Sequence, residues 1–100
     1  MGQDPSVDSI ARTVELFKAL AHPLRLALVR ALASDAHAVH ELVEALDMPQ
    51  PRVSQQLGVL RAADLVVAVR DGREIRYRLA DDHVAHIVND ALVHVDEVHP

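Results

Sequence analysis

The stretch Pro49-Gln50-Pro51-Arg52-Val53-Ser54-Gln55-Gln56-Leu57-Gly58-Val59-Leu60-Arg61, followed shortly by Val66-Val67-Ala68-Val69-Arg70-Asp71-Gly72-Arg73-Glu74-Ile75-Arg76-Tyr77-Arg78-Leu79, decides how this chain folds. Pro51 suits the first turn of a helix, where a missing N–H costs nothing. Val53, Leu57 and Leu60 then recur at helical spacing as a core side, while Gln50, Arg52, Gln55, Gln56 and Arg61 make a polar side. The second segment changes period. Asp71-Gly72 between alternating runs signals a hairpin, because a type I′ turn needs positive φ at both central residues. With Asp71-Gly72 as the loop, Arg70 pairs with Arg73, Ala68 with Ile75 and Val66 with Tyr77. Such a ribbon is apolar at its base and cationic at its tip. Two strands alone are not stable in water, so the ribbon must pack on helices.

Working outward, Asp8 or Ser9 caps a first helix through about Ala21, with Ile10, Val14, Phe17 and Leu20 on one face. Pro23 opens a second helix whose apolar stripe is Leu24, Leu28, Ala31 and Leu32. A short third helix runs from about Val39 to Leu46 and is broken by Asp47-Met48-Pro49. Two short helices joined by a tight turn, the second polar and basic outward, form a helix-turn-helix pattern. With the hairpin appended, the expected fold is a mainly α (α+β) winged helix-turn-helix: four helices, two strands, one last helix. Asp81 or Asp82 caps that last helix, which runs to about Val98. In it Val84, Val88, Ala91, Val95 and Val98 are spaced 4, 3, 4, 3. That spacing is the seam of a coiled-coil-like contact, so a homodimer through the terminal helices is expected. Residues 1–100 read as one DNA-binding and dimerisation domain, with residues 1–7 as a disordered tail.

The 100 residues include one Phe, one Tyr and no Trp, so aliphatic side chains and Ala must build the core. The absence of cysteine excludes disulfides, thiolate metal sites and cysteine nucleophiles. The net charge of -5 argues against a nucleic-acid partner only until it is divided. Residues 49–78 hold six arginines against three acids, a net +3, whereas residues 79–100 hold five acids and no Lys or Arg. The longest apolar run, Leu65 to Val69, is far short of the ~20 residues of a membrane span. No secretory leader is read at the start, and a cytoplasmic location without membrane contact is expected.

Four of the seven histidines (83, 86, 94 and 99) fall in the acidic stretch. His83 and His94 are eleven residues apart, roughly 16 Å along a helix, yet within ~20° of the same face. Metal–ligand bonds are ~2.0–2.2 Å, so one helix cannot close a site with both. Two antiparallel copies would set Asp81 and His83 of one chain against His94 and Glu97 of the other, giving two equal sites by symmetry. Two imidazoles and two carboxylates suit zinc and also cobalt. His86 and His99 as added donors would raise coordination and favour nickel or cobalt. The same groups also describe a plain solvated acidic helix. A filled four-ligand site leaves no open position for water, so metalloenzyme chemistry is not expected, and no small-molecule substrate pocket is evident.

Taken together, these residues resemble the ArsR/SmtB family of metal-sensing winged-helix repressors, from about Thr13 to Glu97. Leu20-Ala21-His22-Pro23-Leu24-Arg25-Leu26 is similar to the family's "LADPTRL" stretch, the segment from Glu41 to Leu60 to its helix-turn-helix, and Asp71 to Leu79 to its wing. Asp81-x-His83-(ten)-His94-x-x-Glu97 matches the family's D-x-H…H-x-x-E zinc pattern on the last helix. The resemblance implies a repressor whose apo dimer binds operator DNA and is released by Zn(II), two ions per dimer, or by Ni(II) or Co(II). A metal-independent winged-helix repressor is the competing expectation. Gln50, Arg52, Ser54, Gln55 and Gln56 are the expected base or backbone contacts, with Arg70 and Arg73 at the wing tip. The chain departs from the family pattern in three ways. It lacks the cysteines found near Leu42-Val43-Glu44, carries Gln55 in place of His, and carries Pro51 in place of Ser.

Overall fold

The computed structural model describes residues 4–98. The elements follow in the order α1 (Val7–Leu20), α2 (Pro23–Leu32), β1 (His37–Ala38), α3 (Val39–Leu46), α4 (Gln50–Ala62), β2 (Val66–Asp71), β3 (Glu74–Leu79) and α5 (Asp82–Val98). No helix among the described residues is long and apolar enough to cross a membrane.

Local chemistry sets most boundaries. Ser6 caps α1 by accepting from the Ser9 N–H, two positions before the first expected cap. Residues 4–6 therefore lead directly into a helix, while residues 1–3 of the expected tail lie outside the described residues. His22 caps α2, its Nδ1 accepting from Leu24 N–H at 3.1 Å, ahead of Pro23. Asp47 ends α3 in the left-handed region (φ 51°), which Asp tolerates better than most residues. Asp81 caps α5 by accepting from His83 N–H at 2.9 Å and Val84 N–H at 3.2 Å.

The sheet has three strands in the order β1-β3-β2. β1 is absent from the sequence reading because two residues carry no periodicity. It pairs His37 with Tyr77 and Ala38 with Arg76, tying the start of α3 to the hairpin. The hairpin register also corrects the expectation. Val66 pairs with Leu79, Ala68 with Tyr77, Arg70 with Ile75 and Asp71 with Glu74. The two loop residues are thus Gly72 and Arg73, not Asp71 and Gly72. Gly72 alone has positive φ, +65°, as a type II′ turn requires at its first central position. The I′ alternative would force Asp71 as well into that region. The pairs slide by two residues along β3, an even number, so each side chain keeps its expected face.

The core is aliphatic. Leu28, Val29, Val53 and Leu60 are 0% exposed, and Leu42, Leu57 and Val66 are nearly so. The sequence stripes of α2 and α4 therefore point inward as read. α1 differs: of its apolar face only Leu20 is buried, while Ile10, Val14 and Phe17 are 54%, 46% and 55% exposed. The seam of α5 divides. Val84 and Val88 are buried in the chain's own core, and Ala91, Val95 and Val98 are exposed. A single intermolecular seam over its full length is thus corrected to a C-terminal half of one.

Candidate nucleic-acid interface and metal-donor helix

α3 and α4 are joined by a turn in which Met48 N–H donates back to Val43 O. Met48 is half-buried and belongs to the rim of the core, so α4 is anchored at its start as well as by Val53, Leu57 and Leu60. That anchoring leaves Gln50, Arg52, Ser54 and Gln55 exposed on the opposite side. Gln56 differs from them. It is half-buried, and its Oε1 accepts from Arg25 Nη1 of α2 at 2.8 Å.

The hairpin projects beside α4. Of its arginines, Arg76 is committed within the chain, meeting Glu41 at 3.1 Å and Glu74 at 3.3 Å and donating to Ala36 O. Arg78 Nη1 donates to Leu79 O at 3.0 Å. Arg70 and Arg73, at the tip, are exposed and make no salt bridge among the described residues. The two tip guanidiniums, like Arg78 at the base, are thus not neutralised by an acid among the described residues, whereas Arg76 is. His40 Nε2 of α3 reaches Glu74 Oε1 at 2.9 Å, which ties the base of the loop to the helix-turn-helix. Sequence reasoning missed this tie, since nothing local links positions 40 and 74.

Glu41 is the centre of the same cluster. The Ala38 N–H donates to its Oε1 at 2.8 Å and holds the carboxyl below its usual range. Arg76, His37 and His40 act in the same direction, while partial desolvation opposes them. This reciprocal contact closes the first turn of α3 in place of the side chain that Ala38 lacks.

The metal candidates among the described residues lie on α5 or its cap. Asp81, His83, His86, His94 and Glu97 are exposed, and His99 lies outside the described residues. No three potential ligands come together among the described residues. That agrees with the helical spacing, which separates His83 from His94 by roughly 16 Å. The donor chemistry nonetheless suits a borderline metal. Asp81 uses one oxygen, Oδ1, for both capping contacts and keeps Oδ2, and the rings of His83 and His94 make no hydrogen bond among the described residues. Asp81 and His83 also edge a groove between α1 and α5, lined further by Glu15, Leu16, Asp64 and Ile87.

Four helices, a three-stranded sheet whose β2–β3 hairpin projects beside α4, and a terminal helix packed on the same core define the winged helix-turn-helix class. Residues 22–67 match the family of bacterial regulatory proteins of the arsR type ("Bacterial regulatory protein, arsR family"). The chain is 55% identical over 83 residues to the HTH-type transcriptional repressor SmtB of Mycobacterium tuberculosis, covering 83% of this chain and 62% of that protein. It is 40% identical over 100 residues to the HTH-type transcriptional regulator KmtR of the same species, covering 99% of this chain and 77% of KmtR. A homodimeric winged helix-turn-helix DNA-binding domain from Mycobacterium bovis, a possible ArsR-family regulator, superposes with TM-score 0.84 at 28% identity, over 100% of this chain and 94% of that one. The chain belongs to the arsR family of bacterial regulatory proteins. It spans 62% of the length of the SmtB repressor it matches.

Proposed function

We propose that this chain is a single domain that works as a homodimeric, metal-responsive transcriptional repressor, binding operator DNA as the apo dimer and leaving it when zinc binds. The observation that carries this reading is the division of the molecule. Three exposed cations without a salt bridge among the described residues (Arg52, Arg70, Arg73) sit on the α4–wing side, with Arg30 apart on α2, and the candidate donor set (Asp81, His83, His94, Glu97) sits on an acidic helix and its cap, which bring no three potential ligands together.

α4 enters the major groove with Gln50, Arg52, Ser54 and Gln55 toward the bases. Gln reads adenine and Arg reads guanine or holds phosphate. Arg70 and Arg73 grip the backbone beside it. The second copy docks on the apolar surface that one chain leaves open: Ile10, Val14 and Phe17 of α1, and Val93, Val95 and Val98 of α5. Antiparallel α5 helices then bring Asp81 and His83 to the partner's His94 and Glu97. Asp81, His83, His94 and Glu97 would hold the metal between the subunits, and its binding would couple to DNA affinity through the difference between the dimer geometries that metal and DNA favour.

The test is binding of an operator duplex titrated in turn with Zn(II), Co(II) and Ni(II). Zinc should release DNA, and His94→Ala should bind DNA in the apo state but no longer release it. Release by micromolar zinc in that variant would refute the site. Stronger release by nickel or cobalt would move the effector to those ions and bring His86 into the ligand set.

A further inference from the structure

We propose that Arg25 is a positioning residue that sets α4 against the end of α1, and that Gln56 serves this joint instead of reading bases. Arg25 stands in the first turn of α2, where the helix dipole disfavours a cation and where α2 has no acid to offset it. Its side chain leaves α2 to join two other helices. Nε donates to Ala19 O, one of the α1 carbonyls that lose their partner at the helix end. Nη1 donates to Gln56 Oε1 at 2.8 Å. A positive group at the end of α1 also answers that helix's dipole, so the cost at α2 is offset at α1.

The planar fork of Arg holds both acceptors at fixed angles, which the single ammonium of Lys cannot do. Arg25 and Gln56 are half-buried, whereas the neighbouring Ser54 and Gln55 are exposed. A bidentate adenine contact would need the amide oxygen that Gln56 already gives to Arg25. The joint connects the helix whose apolar face awaits a second copy to the helix that faces DNA. It thereby fixes how far apart two reading helices stand in a dimer. The DNA side of this inference rests on the repressor reading, while the joint itself does not.

Two readouts test it, using Arg25→Lys, Gln56→Met and the double variant of the full chain. Each first passes a thermal melt to confirm folding. In amide NMR of the free protein, Arg25→Lys should shift resonances in the last turn of α1 and around Gln56 together. Shifts confined to α2 would overturn the joint whether or not the protein binds DNA. The second readout uses a duplex selected by the wild-type protein from a randomised pool. Each single variant should lose about tenfold in affinity, and the double variant should lose no more than the worse single, the mark of two groups acting as one. Preference over a scrambled duplex should fall, while the salt slope stays unchanged because no phosphate contact is lost. Loss of discrimination at one base pair in Gln56→Met alone, with Arg25→Lys like wild type, would make Gln56 a base reader and overturn the proposal. If the wild type selects no duplex, the repressor reading falls and the NMR readout decides the joint.

Discussion

The α4–wing region and α5 are both amphipathic and both charged, but one is finished within the chain and the other is not. In α4, Val53, Leu57 and Leu60 are all but fully buried, and the wing is fastened through β1, His40 and the Arg76–Glu41 contact. In α5, Val84 and Val88 fill the chain's own core, while Val93, Val95 and Val98 remain about half exposed beside an unassembled donor set. Burial in one chain marks what the fold itself requires. Apolar side chains left outside, next to candidate donors that stay apart, are what the proposed dimer would cover.

The contrast is broken most severely from the core. Leu57→Ala removes a side chain that is 1% exposed and should cost about 2–5 kcal/mol, read as a large fall in melting temperature. Val95→Asp should cost well under half a kcal/mol of chain stability but shift sedimentation from dimer to monomer. Equal loss of stability in the two variants would erase the distinction drawn between the regions.

The next effect lies at the wing tip. Gly72→Ala meets no atom within 4 Å, so its cost is that of the positive-φ backbone alone, about 1–3 kcal/mol. A domain this small should lose several degrees in a thermal melt. Arg73→Ala should leave the melt unchanged, weaken DNA binding and reduce the salt slope by about one counterion. An unchanged slope would remove the wing from the interface.

The smallest effect is a pH dependence. Glu41 has a lowered pKa in the fold, so its contribution to stability is present above the unfolded value of about 4.3 and is lost as pH falls through the folded one. Glu41→Gln should therefore flatten the stability profile below about pH 4.3 and leave it parallel to wild type near neutrality. An unaltered acid limb would mean that the cluster at the start of α3 does not hold that region.

Much of this was legible beforehand because periodicity reports burial directly. The stripes of α2 and α4, the break at Asp47 and the hairpin near Gly72 all rest on local geometry that few residues satisfy. The wing register was off by two along β3 because Asp71-Gly72 and Gly72-Arg73 are both possible loops. Only the backbone decided that Gly72 alone takes positive φ. The candidate donors at 81, 83, 94 and 97 could be named from spacing, but no single chain could assemble them.

The sequence by itself determined the winged helix-turn-helix, the split of charge between residues 49–78 and 79–100, and the exclusion of thiolate chemistry, because each follows from residue type and nearest neighbours along the chain. The tertiary structure alone decided that α1 shows its apolar face outward, that Arg76 is committed while Arg70 and Arg73 are not, and that Arg25 joins α1 to Gln56. Those outcomes depend on pairs up to 40 positions apart, such as Arg76 and Ala36, and chain-local patterning carries no information about such pairs.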